Sequence, residues 1–139
     1  MCLIKSTIHI KDYSKPFVAE KDIIVYKALD HRDSSTGKKT LRTPYQYCPI
    51  SFTDVKCVMD GDLECTYDKN VSIGFHTFTS EGLISLVCEM FTATKMTKHW
   101  AIIPKGSKYF IGIEDEIVSN KLIIFKTRED FRKYRRSQK

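Results

Sequence analysis

From His99 onward the chain places runs of β-branched and aromatic residues between turns of two or three residues, and no other feature of the sequence constrains the fold as much. Residues 99–103, 108–113, 116–118 and 121–125 read as strands, with Pro104-Lys105-Gly106 and Ser119-Asn120 as turns between them. A parallel return to the same sheet needs a crossover of about a dozen residues or more. Connections this short therefore predict antiparallel neighbours, here a closing meander. Upstream, residues 22–29 form the first clear strand, whose central apolar run predicts burial on both faces. Residues 30–40 are polar and read as a loop, while Pro44 and Pro49 confine the next segment to an edge or an irregular stretch. A further strand over 55–59 ends at the turn signal Asp60-Gly61-Asp62 and is expected to pair with the strand that follows it.

One long helical period interrupts this β pattern. After Thr79-Ser80, either of which can cap a helix, Leu83, Leu86, Val87, Met90 and Phe91 recur at the three-and-four spacing of one buried stripe, with an end expected over 94–98. A second, shorter helix begins at Thr127-Arg128-Glu129-Asp130. There the threonine hydroxyl can accept from an early backbone N–H, and the acidic pair suits the positive end of the helix dipole. The layout predicts an α+β fold: a mostly antiparallel sheet, one main packed helix and a short basic C-terminal helix. At 139 residues the chain has the size of one domain. It divides into an N-terminal arm (1–20), a single α+β domain (21–127) and a basic C-terminal helix or tail (128–139). With 42% hydrophobic residues it can bury a core, in which Trp100 is expected.

The formal net charge is +6, and residues 131–139 carry five cations and no acid, so all but one unit of that excess belongs to the tail. Arg132, Lys133, Arg135 and Arg136 are the candidates for contact with nucleic acid, against a plain solvated terminal helix. Phe131 and Tyr134 share one face and either pin the segment to the body or stack on a base. The longest apolar runs, such as Leu122-Ile123-Ile124-Phe125, fall far short of the roughly 20 residues of a membrane span. The first residues lack the long apolar region of a secretory signal. Five cysteines at 2, 48, 57, 65 and 88 form no close pair of the kind zinc sites use, so no metal is predicted. The pattern fits a cytoplasmic protein with reduced thiols, with Cys88 as a small hydrophobe on the apolar side of the main helix.

Glycine-rich phosphate loops, the GxSxG elbow and HExxH are all absent from the sequence. Two local features remain. Gly74-Phe75-His76-Thr77-Phe78-Thr79-Ser80 brings an imidazole and hydroxyls to the end of a strand directly before a helix N-terminus, where backbone N–H groups favour an anion. Glu114-Asp115-Glu116 enters a strand with Glu114 and Glu116 on the same side, which is either a carboxylate pair for chemistry or a solvated hairpin face.

Tyr26-Lys27-Ala28, Thr77-Phe78-Thr79-Ser80, and Ile103-Pro104-Lys105-Gly106 followed by Glu114-x-Glu116 fall in the order of the ADP-ribosyltransferase superfamily, which the chain resembles over about residues 24–125. That family presents an arginine in its first strand, a Ser-Thr-Ser strand and a Glu-x-Glu or Gln-x-Glu motif. The resemblance implies Glu116 as the catalytic glutamate that steadies the ribose, Glu114 as the substrate-orienting acid, and NAD as the cofactor. Lys27 would stand in the arginine's place, with a point charge where arginine offers a planar fork. The chain is also similar to small bacteriophage and bacterial proteins that share an early Tyr-Lys element, a central Gly-Phe-His motif (Gly74-Phe75-His76) and a closing Ser-x-Lys step (Ser119-Asn120-Lys121). That likeness implies a phage or mobile-element setting and no activity.

Three functional readings follow. The first is a non-catalytic binding or regulatory protein without a cofactor, which holds a nucleotide-like molecule or a protein partner through Lys27, His76, Thr77, Thr79 and Ser80. The second is an ADP-ribosyltransferase-like enzyme acting on NAD. The third is nucleic-acid binding through the basic C-terminus.

Overall fold

The structure is a computed structural model that describes residues 16–33, 39–42, 49–50, 52, 55–65, 71–90, 95–112 and 116–138. The described strands, in chain order, are β1 (Phe17–Val18), β2 (Ile23–Asp33), β3 (Lys39–Arg42), β4 (Pro49–Ile50), β5 (Lys56–Asp60), β6 (Glu64–Cys65), β7 (Val71–Ile73), β8 (Phe75–Phe78), β9 (Lys95–Ile103), β10 (Lys108–Ile111), β11 (Glu116–Ser119) and β12 (Lys121–Phe125). Helix α1 spans Glu81–Met90 and α2 spans Arg128–Ser137. The main sheet runs β1-β10-β11-β8-β2-β9-β12-β5, with β3 beside the far end of β2 and β4 beside β3; β6 and β7 form a separate ribbon. Every described pairing is antiparallel. The fold is therefore α+β, mostly antiparallel sheet with one main helix and a short C-terminal one, as the short connections required.

The sheet is held as two halves. β2 and β8, neighbours at its centre, share a single residue pair, Tyr26 with Phe78. Beyond that pair the halves splay, and Ile117, Phe75 and Tyr109 of one half pack with Val25, Ala101 and Ile124 of the other in one core cluster. Fully burying each large aliphatic side chain of this kind contributes about 1.5–3 kcal/mol. α1 lies over Ala28, Phe78, Phe110 and Val118, and α2 over Ile102, Ile123 and Phe125.

Asn120 makes the corner between the halves. Its carbonyl accepts from Gly61 N–H (2.9 Å), its N–H donates to the Lys108 carbonyl (3.0 Å), and its side-chain oxygen accepts from Lys108 N–H (2.9 Å). β11 therefore pairs with β10 and β8, whereas β12, one residue further on, pairs with β9 and β5. The expected closing meander is thus real only for β10 and β11. For the same reason β5 makes no hairpin with the segment after it. Its partner is β12, more than sixty residues away.

Other differences have local causes. β2 runs on through His31 to Asp33, into the stretch read as a loop, because β9 and β3 flank it there and satisfy its backbone despite the polar side chains. Residues 95–98, assigned to the end of the main helix, belong to β9. The buried side of α1 is centred on Ile84, fully buried with Leu83 and Cys88 packed beside it, while Leu86 and Met90 of the expected stripe are more than half exposed. The arm's last residues, Phe17–Val18, form a short edge strand on β10, and residues 1–15 lie outside the described residues. At the turn before β10, Ser107 N–H donates to the Pro104 carbonyl, and Gly106 takes φ +87°, as the third position of a type II turn demands. Among the described residues no helix is long and apolar enough to cross a membrane.

Candidate functional site

Polar groups cluster where the two half-sheets part. Lys27 on β2, His76 and Thr77 on β8 and Glu116 on β11 come from three adjacent strands, and all four are buried. Because the β2–β8 ladder stops at one pair, the His76 carbonyl is left facing the gap. Lys27 Nζ donates to it at 2.7 Å, doing with a side chain what the ladder no longer does. Thr77 Oγ1 donates to the Ile117 carbonyl at 2.9 Å and stitches β8 to β11.

His76 Nδ1 lies 4.0 Å from Glu116 Oε1, too far for a hydrogen bond. Burial, reinforced by the Lys27 ammonium, lowers the imidazole pKa from 6.5 to about 3, so the ring is neutral at neutral pH and the contact is not an ion pair there. A histidine in this state serves as a neutral hydrogen-bonding group and is poorly placed to shuttle protons near pH 7. The cluster therefore sets an uncharged imidazole beside a buried lysine and a buried glutamate side chain.

The sequence readings resolve as follows. Glu116 is not on a solvated hairpin face; it is 4% exposed, because β11 is covered on both edges and α1 packs over the same side of the sheet. Glu114 lies outside the described residues. Ser80 is the cap of α1: its Oγ accepts from Leu83 N–H at 3.2 Å, which engages the hydroxyl expected to meet a ligand. Thr79 is exposed at the rim. The structure thus brings His76 beside Glu116 on one face and Lys27 to the His76 backbone, sets Thr77 on the opposite face of β8, and gives Lys27, Thr77 and Ser80 structural hydrogen bonds.

A row of side chains leads outward from this cluster. Cross-strand register aligns Glu116 with Phe78, Phe78 with Tyr26 and Tyr26 with Trp100 on one face. Three interstrand steps separate the ends, about 14 Å. Trp100, expected in the core, is only half-buried. Its ring meets Tyr26 edge-on at 6.0 Å and has Lys98 Nζ at 4.9 Å and the Arg128 guanidinium at 5.4 Å from its centroid. Lys98 also pairs with Glu81 at 2.7 Å. This aromatic platform with cations was not legible beforehand, since its members come from β2, β9 and α2.

A second polar chain, also missed, joins β2 to β9. His31 Nε2 and Thr97 Oγ1 are 2.6 Å apart, Thr97 Oγ1 and His99 Nε2 2.7 Å, and His99 Nδ1 and the Phe125 carbonyl 3.1 Å. The carbonyl only accepts, so Nδ1 of His99 carries the proton. Burial first, with His31 nearby, lowers the His99 pKa against the opposing effect of its backbone hydrogen bonds. The neutral ring then accepts from the Thr97 hydroxyl, whose oxygen in turn accepts from His31 Nε2–H. Alternation placed these residues on one face of two strands, but no local sequence signal linked them.

In the basic helix, Phe131 and Tyr134 turn inward onto Phe125, at 5.6 and 5.1 Å between ring centroids. They pin α2 to the body and are engaged there rather than presented to a base. Arg132, Lys133 and Arg136 are exposed, Arg136 pairs with Glu129 at 3.2 Å, and Arg135 lines a cleft of about 670 Å³ whose Lys21 and Lys105 are offset by Glu20 and Asp22. Acids thus offset Arg135 and Arg136, whereas Arg132 and Lys133 stand exposed.

Comparison of the chain with protein-family models, with curated proteins and with solved structures returns no match, so the chemistry of the site is argued from its own residues.

Proposed function

We propose that the chain is a small binding or regulatory protein that holds a nucleotide-like ligand at the Tyr26–Trp100 end of the row that begins at Glu116. The observation that carries this reading is the aromatic platform of Tyr26 and Trp100 with Lys98 and Arg128 beside it, on the row that starts at the polar junction of Lys27, His76 and Glu116. Apolar residues of similar size would hold such a junction as well or better, because burying ionisable side chains costs several kcal/mol in lost hydration. At this partly exposed end Tyr26 and Trp100 suit a base, and Lys98 and Arg128 beside them suit phosphate. Lys27 is already engaged by a backbone carbonyl, which counts against the arginine-like grip on phosphate that the transferase resemblance implies.

The test is thermal unfolding of the full chain with and without NAD, ADP and AMP, for the wild type, Glu116→Gln and Trp100→Leu. A saturable rise in melting temperature, lost in Trp100→Leu and kept in Glu116→Gln while near-ultraviolet circular dichroism keeps its native form, is the expected outcome. No rise with any nucleotide, or a rise unchanged by Trp100→Leu, refutes it.

The second reading, an ADP-ribosyltransferase-like enzyme, draws on the position of Glu116. It lies directly opposite Phe78, on the strand next to the Thr77–Ser80 segment and two strands from Lys27. Release of nicotinamide from NAD, abolished in Glu116→Gln, would establish turnover; binding without release assigns the site to ligand holding alone.

A further inference from the structure

The edge strand β5 carries a pattern that neither the ligand site nor the core uses. Gly61 N–H donates to the Asn120 carbonyl at 2.9 Å and Lys126 N–H to the Val55 carbonyl at 3.0 Å, at the two ends of the β5–β12 ladder. In an antiparallel ladder the hydrogen-bonded pairs recur at every second residue. Val55, Cys57, Met59 and Gly61 therefore turn their backbone groups toward β12, whereas Lys56, Val58 and Asp60 turn theirs to the outer edge. Among the described residues no strand pairs with that edge. Val58 is 64% exposed there, an apolar side chain at the centre of a strand that ends the sheet.

We propose that β5 is a self-association surface, on which two copies of the chain pair β5 with β5 antiparallel about a two-fold axis through Val58. The polarity of the edge fits this register, since all three outward-facing residues meet outward-facing residues. Val58 meets Val58 of the second copy, and Lys56 and Asp60 meet Asp60 and Lys56. Each pair exchanges two backbone hydrogen bonds. The side chains are complementary to themselves as well: an apolar contact on the axis is flanked on each side by an ammonium opposite a carboxylate, on one face of the joined sheet. Cys57 and Met59, packed against the core on the other face, then also sit opposite each other across the axis. Such an interface is isologous and closes at two copies. The charges at 56 and 60 that would shield a lone edge from indiscriminate pairing here select a single register.

Sedimentation equilibrium of the full chain over a concentration series tests the proposal. The wild type should move from 16.1 kDa toward twice that mass as concentration rises. Lys56→Asp and Asp60→Lys, each placing like charges opposite one another, should each raise the dissociation constant about tenfold. The double exchange, Lys56→Asp with Asp60→Lys, should restore association. Val58→Asp, with two carboxylates on the axis, should remain monomeric while its melting temperature confirms the fold. A wild type that stays monomeric at every concentration overturns the proposal. So does a dimer indifferent to both single reversals, or single reversals that the double exchange fails to rescue.

Discussion

Replacing His76 with glutamine should remove much of the acid sensitivity of this protein. In the folded chain, burial and then Lys27 hold the His76 pKa near 3, against 6.5 for an ordinary histidine. As pH falls below 6.5 the unfolded chain takes up a proton on this residue and the folded chain does not, so folding stability drops with pH until the folded pKa is reached. One proton is worth about 1.4 kcal/mol per pH unit, so between pH 7 and 5 this residue alone should cost the wild type about 2 kcal/mol. His99, also lowered, adds a loss of the same sign, but it is present in both proteins and cancels in their difference. The assay is urea unfolding of wild type and His76→Gln at pH 7, 6 and 5, with equal m-values as the check that the same transition is compared. The stability gap between the two should shift by about 2 kcal/mol in favour of the variant over that range. Parallel curves would refute the assignment of a neutral, desolvated imidazole beside Glu116 and Lys27.

Lys27→Met should destabilise the fold by roughly 1–3 kcal/mol, because the His76 carbonyl loses its donor, and it should also raise the His76 pKa; chemical denaturation and the pH series above read the two effects. Gly74→Ala should cost roughly 3 kcal/mol, measured by urea unfolding. Gly74 has φ +151°, and an added Cβ would stand 2.5 Å from Val118 Cγ1 and 2.9 Å from Leu63 Cδ1. Thr127→Ala should cost about 1 kcal/mol, since its hydroxyl accepts from Asp130 N–H at 3.1 Å and donates to the Asp130 carboxylate at 2.7 Å; faster amide exchange confined to α2 would locate the loss. In each case a change of less than about 0.3 kcal/mol would contradict the contact invoked.

The single sequence fixes whatever depends on neighbours along the chain. Turns at residues 104–106 and 119–120, the caps Ser80 and Thr127, the β-branched runs and the length of α2 follow from local backbone preferences, and the structure repeats them. Short connections were enough to exclude parallel pairing. They could not say which strands meet, because Asn120 turns a corner where a hairpin was expected, and only the packing of the two halves against each other selects that path. The buried side of α1 and the incomplete burial of Trp100 were likewise decided by what lies across from them.

The same division holds for the site. That Lys27, His76 and Glu116 deserved notice was visible from residue type and position, yet their being neighbours depends on pairings between residues some forty positions or more apart. Their charge states depend on it too. His76 is neutral because the fold buries it beside an ammonium, a property of the surrounding low-dielectric core that no stretch of sequence carries by itself.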